Sequence, residues 1–127
     1  MQVVKGADHR AEPATGDIFT GEVERLGYTE VATAKHLRLG LVRFRPGGRT
    51  KWHTHTFEQG LVITEGRGIV ANQAGEHVVE PGDVVIVPAG EKHWHGATES
   101  TAMAHVSIAT PGDTTVLEAV ERIRSQA

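Results

Sequence analysis

The sequence predicts an all-β fold, an antiparallel sandwich or barrel. Three observations carry this expectation. The 127 residues include fifteen glycines, turn signals recur throughout, and the segments between them are short, apolar and often β-branched. A chain of this length suits one core, so one domain is expected over residues 1–127, with the barrel over about 17–110.

Taken in order, Met1 to Gly16 reads as a polar arm with one strand near Gln2 to Lys5. Ile18 to Leu26 has a strand pattern, and His36 to Phe44 alternates until Pro46-Gly47-Gly48 breaks it. Gly60 to Thr64 is β-branched and reads as a buried strand. Glu65-Gly66-Arg67-Gly68 turns the chain into Gly68 to Asn72, and Glu76 to Glu80 follows. Pro81-Gly82-Asp83 fits a type II turn, with glycine supplying positive φ. Val84 to Val87, His93 to Ala97 and Thr101 to Ala109 complete the strands. The tail differs. Val116, Leu117, Val120 and Ile123 recur at helical spacing and Thr115 with Glu118 resembles a capping box, so a short C-terminal helix is expected over about 114–125.

Composition removes several function classes. Lys plus Arg number 13 against 16 Asp plus Glu, a formal charge of −3, and no basic run is present. Nucleic acid and membrane surfaces are therefore not expected partners, because phosphate binding needs concentrated positive charge. No stretch is long and apolar enough to span a bilayer, and polar Met1 to Arg10 lacks the apolar centre of a secretion signal. Cysteine is absent, which fits a cytoplasmic location and leaves only nitrogen and oxygen ligands for any metal.

The eight histidines carry the functional signal. In Trp52-His53-Thr54-His55-Thr56-Phe57-Glu58-Gln59, strand alternation puts His53 and His55 on one side, where two imidazoles can reach one cation. Of the residues sharing their parity, Phe57 cannot bind a metal and Gln59 can, through its amide oxygen. Glu58 becomes the alternative if a turn follows His55. A further ligand must come from Pro88-Ala89-Gly90-Glu91-Lys92-His93-Trp94-His95, where spacing alone allows either His93 or His95. Trp52 and Trp94 oppose the ligands in parity and are expected to pack, while His9, His36 and His77 read as surface or strand residues.

These motifs resemble the cupin superfamily. Gly47, five residues, His53-Thr54-His55, three residues, Gln59, six residues and Gly66 are similar to its first motif. Gly82, five residues, Pro88-Ala89-Gly90, two residues and His93 are similar to its second, with Ala97 where the family has asparagine and Gln59 where it has glutamate. The resemblance implies a double-stranded β-helix, the jelly-roll barrel. The stretches His53 to Gln59, Leu61 to Gly68 and Gly90 to Thr98 further resemble small bacterial cupins, some of which are manganese-dependent hydroxynitrile lyases. That subgroup implies metal ligands at His53, His55, Gln59 and His93, places His105 in the cavity, and prefers Mn(II). Fe(II), Ni(II) or Zn(II) also suit a nitrogen-rich site. Family members often form homodimers, so a homodimer or a higher homo-oligomer is expected.

A neutral carboxamide leaves the ion its full double charge, so the site should favour an anionic ligand or a developing oxyanion. His95 and His105 are the expected general base and acid, since imidazole titrates near neutrality. The expectation is a metal-dependent enzyme acting by lyase chemistry on a small hydroxy or carbonyl compound such as a cyanohydrin. An Fe(II)-dependent dioxygenase and a non-catalytic sensor of small anions are the alternatives. Val42, Phe44, Leu61 and Ile63 are expected to line the cavity.

Overall fold

The computed structural model describes residues 1–125. Its strands, in chain order, are β1 (Glu12–Pro13), β2 (Phe19–Thr20), β3 (Val23–Gly27), β4 (Arg38–Phe44), β5 (Arg49–Thr50), β6 (His53–His55), β7 (Gln59–Gly66), β8 (Gly68–Asn72), β9 (Gly75–Val79), β10 (Val84–Val87), β11 (His93–Ala97), β12 (Met103–Ala109) and β13 (Thr114–Val116). One helical turn, α1 (Tyr28–Val31), joins β3 to β4, and a 3₁₀ turn lies at Gly6–Asp8.

All strand pairs are antiparallel. The first sheet has the order β1-β3-β4-β12-β7-β10. The second runs β13-β6-β11-β5-β2, with β8 on the other edge of β11 and β9 beyond it. Strand alternation sorts the side chains. In β7, Gln59, Leu61 and Ile63 are buried between the sheets, while Gly60 and Val62 face outward. All of β11 is buried because both its faces are covered.

The closed end of the barrel is apolar. Val23, Phe44, Leu61, Ile63, Val70, Val79, Ala97 and Met103 form its core. Burying each large side chain there contributes roughly 1.5–3 kcal/mol. The β7–β8 turn needs glycine at 66, where φ is +71° and a Cβ would collide with the Ala102 carbonyl oxygen. Gly82, at φ +95°, closes the expected turn, in which the Asp83 N–H donates to the Glu80 carbonyl at 3.0 Å.

Three expectations are corrected. The tail forms no helix: Thr114–Val116 is a strand paired with His53–His55, and residues 117–125 continue in irregular conformation. β6 has only three residues and needs a neighbour on that edge, which the β-branched Thr114-Thr115-Val116 supplies. The apolar residues beyond it still find a core. Val120 and Ile123 are buried against Ile69, Ala71 and Trp94 on the outer face of the second sheet. The Arg49 guanidinium donates to the Val120 carbonyl, and the Glu76 carboxylate accepts the Arg124 and Ser125 N–H groups. At the other end, Gln2 to Lys5 forms no strand. The Ile18–Leu26 pattern divides into two strands at Gly21, whose φ is +80°. Among the described residues no helix is long and apolar enough to cross a membrane.

Candidate metal centre

At the open end, β6 and β11 bring the predicted histidines together. His53 of β6 pairs directly with His93 of β11. His53, His55 and His93 are all buried, and their nearest ring nitrogens lie within 4.8 Å of one another. Gln59 enters from the start of β7. Alternation holds through the intervening turn, so Gln59 is buried and Glu58 is exposed. The Gln59 carboxamide oxygen lies 3.2 Å from His93 Nε2.

Each imidazole is anchored through Nδ1. His53 Nδ1 donates to the Lys51 carbonyl and His93 Nδ1 to the Glu91 carbonyl, both at 2.8 Å. A carbonyl can only accept, so these bonds place the proton on Nδ1 and leave Nε2 with its lone pair. His55 Nδ1 lies 2.8 Å from Thr114 Oγ1, contributed by β13. His55 Nε2 is buried with no hydrogen-bond partner. A buried nitrogen left without a partner, as His55 Nε2 is, is costly for a purely structural cluster, and a divalent cation held with His53 and His93 would satisfy it. The donor set therefore fits a metal: three imidazole nitrogens, with a carboxamide oxygen beside them.

Electrostatics agrees. Burial pushes His53 down to about 3 and His55 to about 4, and His93 is lowered for the same reason. The neighbouring imidazoles, each disfavouring charge on the next, depress His53 and His55 further. All three are neutral at pH 7, the form a metal requires.

His95 and His105 lie one layer deeper, so His105, expected in the cavity, is buried beneath it and is not among its lining residues. His105 Nε2 and His95 Nδ1 are 2.9 Å apart, and both residues are buried. The His95 ring centroid is 5.4 Å from that of His53 and 5.7 Å from that of His93. Phe44 packs against both His95 and His105. His95 Nε2 and His105 Nδ1 have no hydrogen-bond partner. Burial holds His105 at about 4 and His95 well below the usual range, so this pair is also neutral at pH 7.

Above the cluster opens a cavity of about 710 Å³, lined by His55, Phe57, Gln59, Val42, Ser107 and Thr114 and roofed by residues around α1. Phe57 stacks on the His55 ring, with centroids 4.6 Å apart. Of the four apolar residues expected in the lining, Val42 is there. Phe44, Leu61 and Ile63 instead pack in the closed-end core, one or more layers below the mouth. Trp94 is buried and Trp52 packs beside it on the outer face of the second sheet, as their parity predicts. His36 and His77 are exposed and His9 is half-buried.

The sequence reading did not single out the residues that orient the ligands. Ser107 accepts from Gln59 Nε2 at 3.0 Å and Thr114 holds His55. Ser107 shares parity with His105 on β12, a readable signal. Thr114 was hidden by the helical reading of the tail.

Fold and site together define a double-stranded β-helix protein with a buried three-histidine group able to hold a metal ion. A family model described as the cupin domain matches residues 40–109, more than half of the 127-residue chain, and the chain belongs to that family. It is 33% identical over 127 residues to the (R)-mandelonitrile lyase of Granulicella tundricola, covering 99% of this chain and 97% of that one. A cupin-like protein of Thermotoga maritima is similar in structure, with a TM-score of 0.78 and 31% identity over 87% of both chains. The polyketide cyclase RemF of Streptomyces resistomycificus shares the fold at 21% identity, with a TM-score of 0.75 over 95% of this chain and 88% of that one.

Proposed function

We propose that this protein is a metal-dependent lyase that cleaves a small hydroxy compound of the cyanohydrin type. The observation that carries the reading is the convergence of His53, His55, His93 and the Gln59 oxygen beneath an open cavity of cyanohydrin-accommodating size. Its full-length similarity to a mandelonitrile lyase supports the same chemistry. These four residues would hold one divalent ion, which we assign as Mn(II), with Fe(II), Ni(II) and Zn(II) as competitors. When bound, such an ion supplies Lewis-acid stabilisation of negative charge on oxygen.

The chain's own residues set the rest. Gln59 adds no charge, so the site keeps its attraction for an alkoxide or for released cyanide. Phe57, Val42 and the residues around α1 line the open cavity and give the substrate's apolar group a seat. His105 and His95, a hydrogen-bonded pair packed directly beneath His53 and His93, are assigned as general base and acid for the hydroxyl proton. Loss of that proton forms the carbonyl as the carbon–cyanide bond breaks, with its electron pair leaving on cyanide. Return of the proton gives hydrogen cyanide and an aldehyde.

The test is cleavage of mandelonitrile by the purified protein without oxygen. Turnover that chelation abolishes and Mn(II) restores is expected. Absence of turnover together with substrate-dependent oxygen uptake would replace the lyase with the dioxygenase reading.

A further inference from the structure

The inner face of β4 carries a row of residues that runs from the core to the mouth of the cavity. Alternation puts Phe44, Val42, Gly40 and Arg38 on that face. Phe44 packs in the core, and Val42, Gly40 and Arg38 line the cavity. Pairing with β12 sets the level of each. Val42 lies opposite His105, Gly40 opposite Ser107 and Arg38 opposite Ala109. Ser107 is the residue that holds Gln59. Arg38 therefore stands two residues, about 6.8 Å of strand, outward of the level at which Gln59 is held. Gly40, between the two levels, adds no side chain to the path.

Arg38 is anchored on one side only. Its Nη1 donates to the Ala34 carbonyl at 3.1 Å and to the Leu37 carbonyl at 3.0 Å. The backbone next to it is fixed as well, because the Leu39 N–H donates to Thr29 Oγ1 of α1 at 3.2 Å. Among the described residues, Arg38 Nε and Nη2 find no acceptor, and no carboxylate pairs with the guanidinium. That free edge is the one that offers two parallel N–H groups to a carboxylate. Pinning the loop at Ala34 and Leu37 needs a donor but no charge, so the charge is left for another partner.

The charges around the cavity do not cancel. Its lining holds three charged side chains, Arg25, Glu30 and Arg38. Arg25 and Glu30 pair with each other at 2.7 Å, which leaves Arg38 as one uncompensated positive charge. A single carboxylate balances it. A phosphate monoester, at about −1.5 to −2 near neutrality, would not be balanced by one guanidinium. Between the level of Gln59 and Arg38 the walls given by Val42, Phe57 and Ala109 are apolar. The span thus suits a ligand that is polar at both ends and apolar in the middle.

We propose that Arg38 sets substrate specificity: the substrate carries a carboxylate at the end away from its reacting hydroxyl, and the Nε–Nη2 edge of Arg38 receives it. For the reacting end the proposal rests on the lyase reading above. Calorimetric titration of the Mn(II)-loaded protein with mandelate and with 4-carboxymandelate tests it. The second probe differs only by a carboxylate across the ring. It is expected to bind about tenfold tighter or more, the scale of hydrogen bonds to a charged group. Arg38→Gln keeps a donor for the loop carbonyls but loses the charge. It should abolish the preference and leave mandelate affinity within about twofold of wild type, while Arg38→Lys keeps part of the preference. Equal affinity of the wild type for both probes, or binding of neither, would overturn the proposal. So would a preference that survives in Arg38→Gln, or a loss of mandelate binding as large as that of 4-carboxymandelate, which would make Arg38 a structural anchor alone. Binding needs no turnover, so the two readings fail separately. A protein with the preference that cleaves no mandelonitrile loses only the lyase reading, and one that cleaves it without the preference loses only this proposal.

Discussion

Ser107 accepts a hydrogen bond from Gln59 Nε2 at 3.0 Å, and this turns the Gln59 oxygen toward His93 Nε2. A hydroxyl on β12 thereby decides which end of a carboxamide on β7 faces the three imidazoles. Ser107→Ala removes that preference and lets the amide group rotate. Metal affinity should fall about tenfold, the usual cost of losing a residue that orients a ligand. Competition against a fluorescent chelator measures it.

Replacing a histidine ligand is more severe. His53→Ala or His55→Ala removes one of three nitrogens, and metal content measured by elemental analysis should drop to a small fraction of wild type. Gln59→Glu should keep the metal but weaken anion binding, because the site gains a negative charge. Azide titration of the metal-loaded protein reads this directly, and equal anion affinity would refute the charge argument for Gln59.

Thr114 gives a sharper test of the β6–β13 pairing. Thr114→Val keeps the β-branched shape but loses the Oγ1 contact to His55 Nδ1 at 2.8 Å. Metal affinity should fall about tenfold, and Thr114→Ser should restore it. A structural role alone would leave metal affinity unchanged in both.

His105→Ala and His95→Ala should separate catalysis from metal binding. Neither residue belongs to the converging cluster at 53, 55 and 93. The expected result for His105→Ala is a fall in kcat of about 10²-fold or more with bound metal retained, the scale of a lost general acid or base.

Stability of the metal-free protein should depend on pH with a definite sign. His53 and His55 titrate at about 3 and about 4 in the fold, against an ordinary 6.5. Below that ordinary value the unfolded chain takes up protons that the folded one refuses. The stability contributed by neutral burial is full above about 6.5 and is lost as pH falls toward about 4 and 3. Each such histidine steepens the loss by up to about 1.4 kcal/mol per pH unit, measurable by urea denaturation from about pH 8 to about pH 5.

Much of this was legible in the residues. Strand alternation put His53, His55 and Gln59 on one face and left Glu58 outside, and the structure keeps that order through the turn at Thr56 and Phe57. The strands from His53 to Ala109 follow the β-branched runs and glycine turns. What failed was local pattern judged without its neighbours. Val116 to Ile123 has helical spacing, yet the open edge of β6 captured Thr114–Val116, and Val120 with Ile123 covered Trp94 without a helix. The cavity lining failed for another reason. Phe44, Leu61 and Ile63 point inward as expected, but parity gives the face of a strand and not the depth along the barrel. Cross-strand register sets depth, and no single strand encodes it.

The central claim is that His53, His55, Gln59 and His93 hold one cation, and anomalous diffraction from crystals grown with manganese, iron and zinc available tests it most directly. A single anomalous peak is expected, bounded by the three Nε2 atoms and the Gln59 oxygen. A well-ordered site with no peak there, or a peak held by other residues, would contradict it.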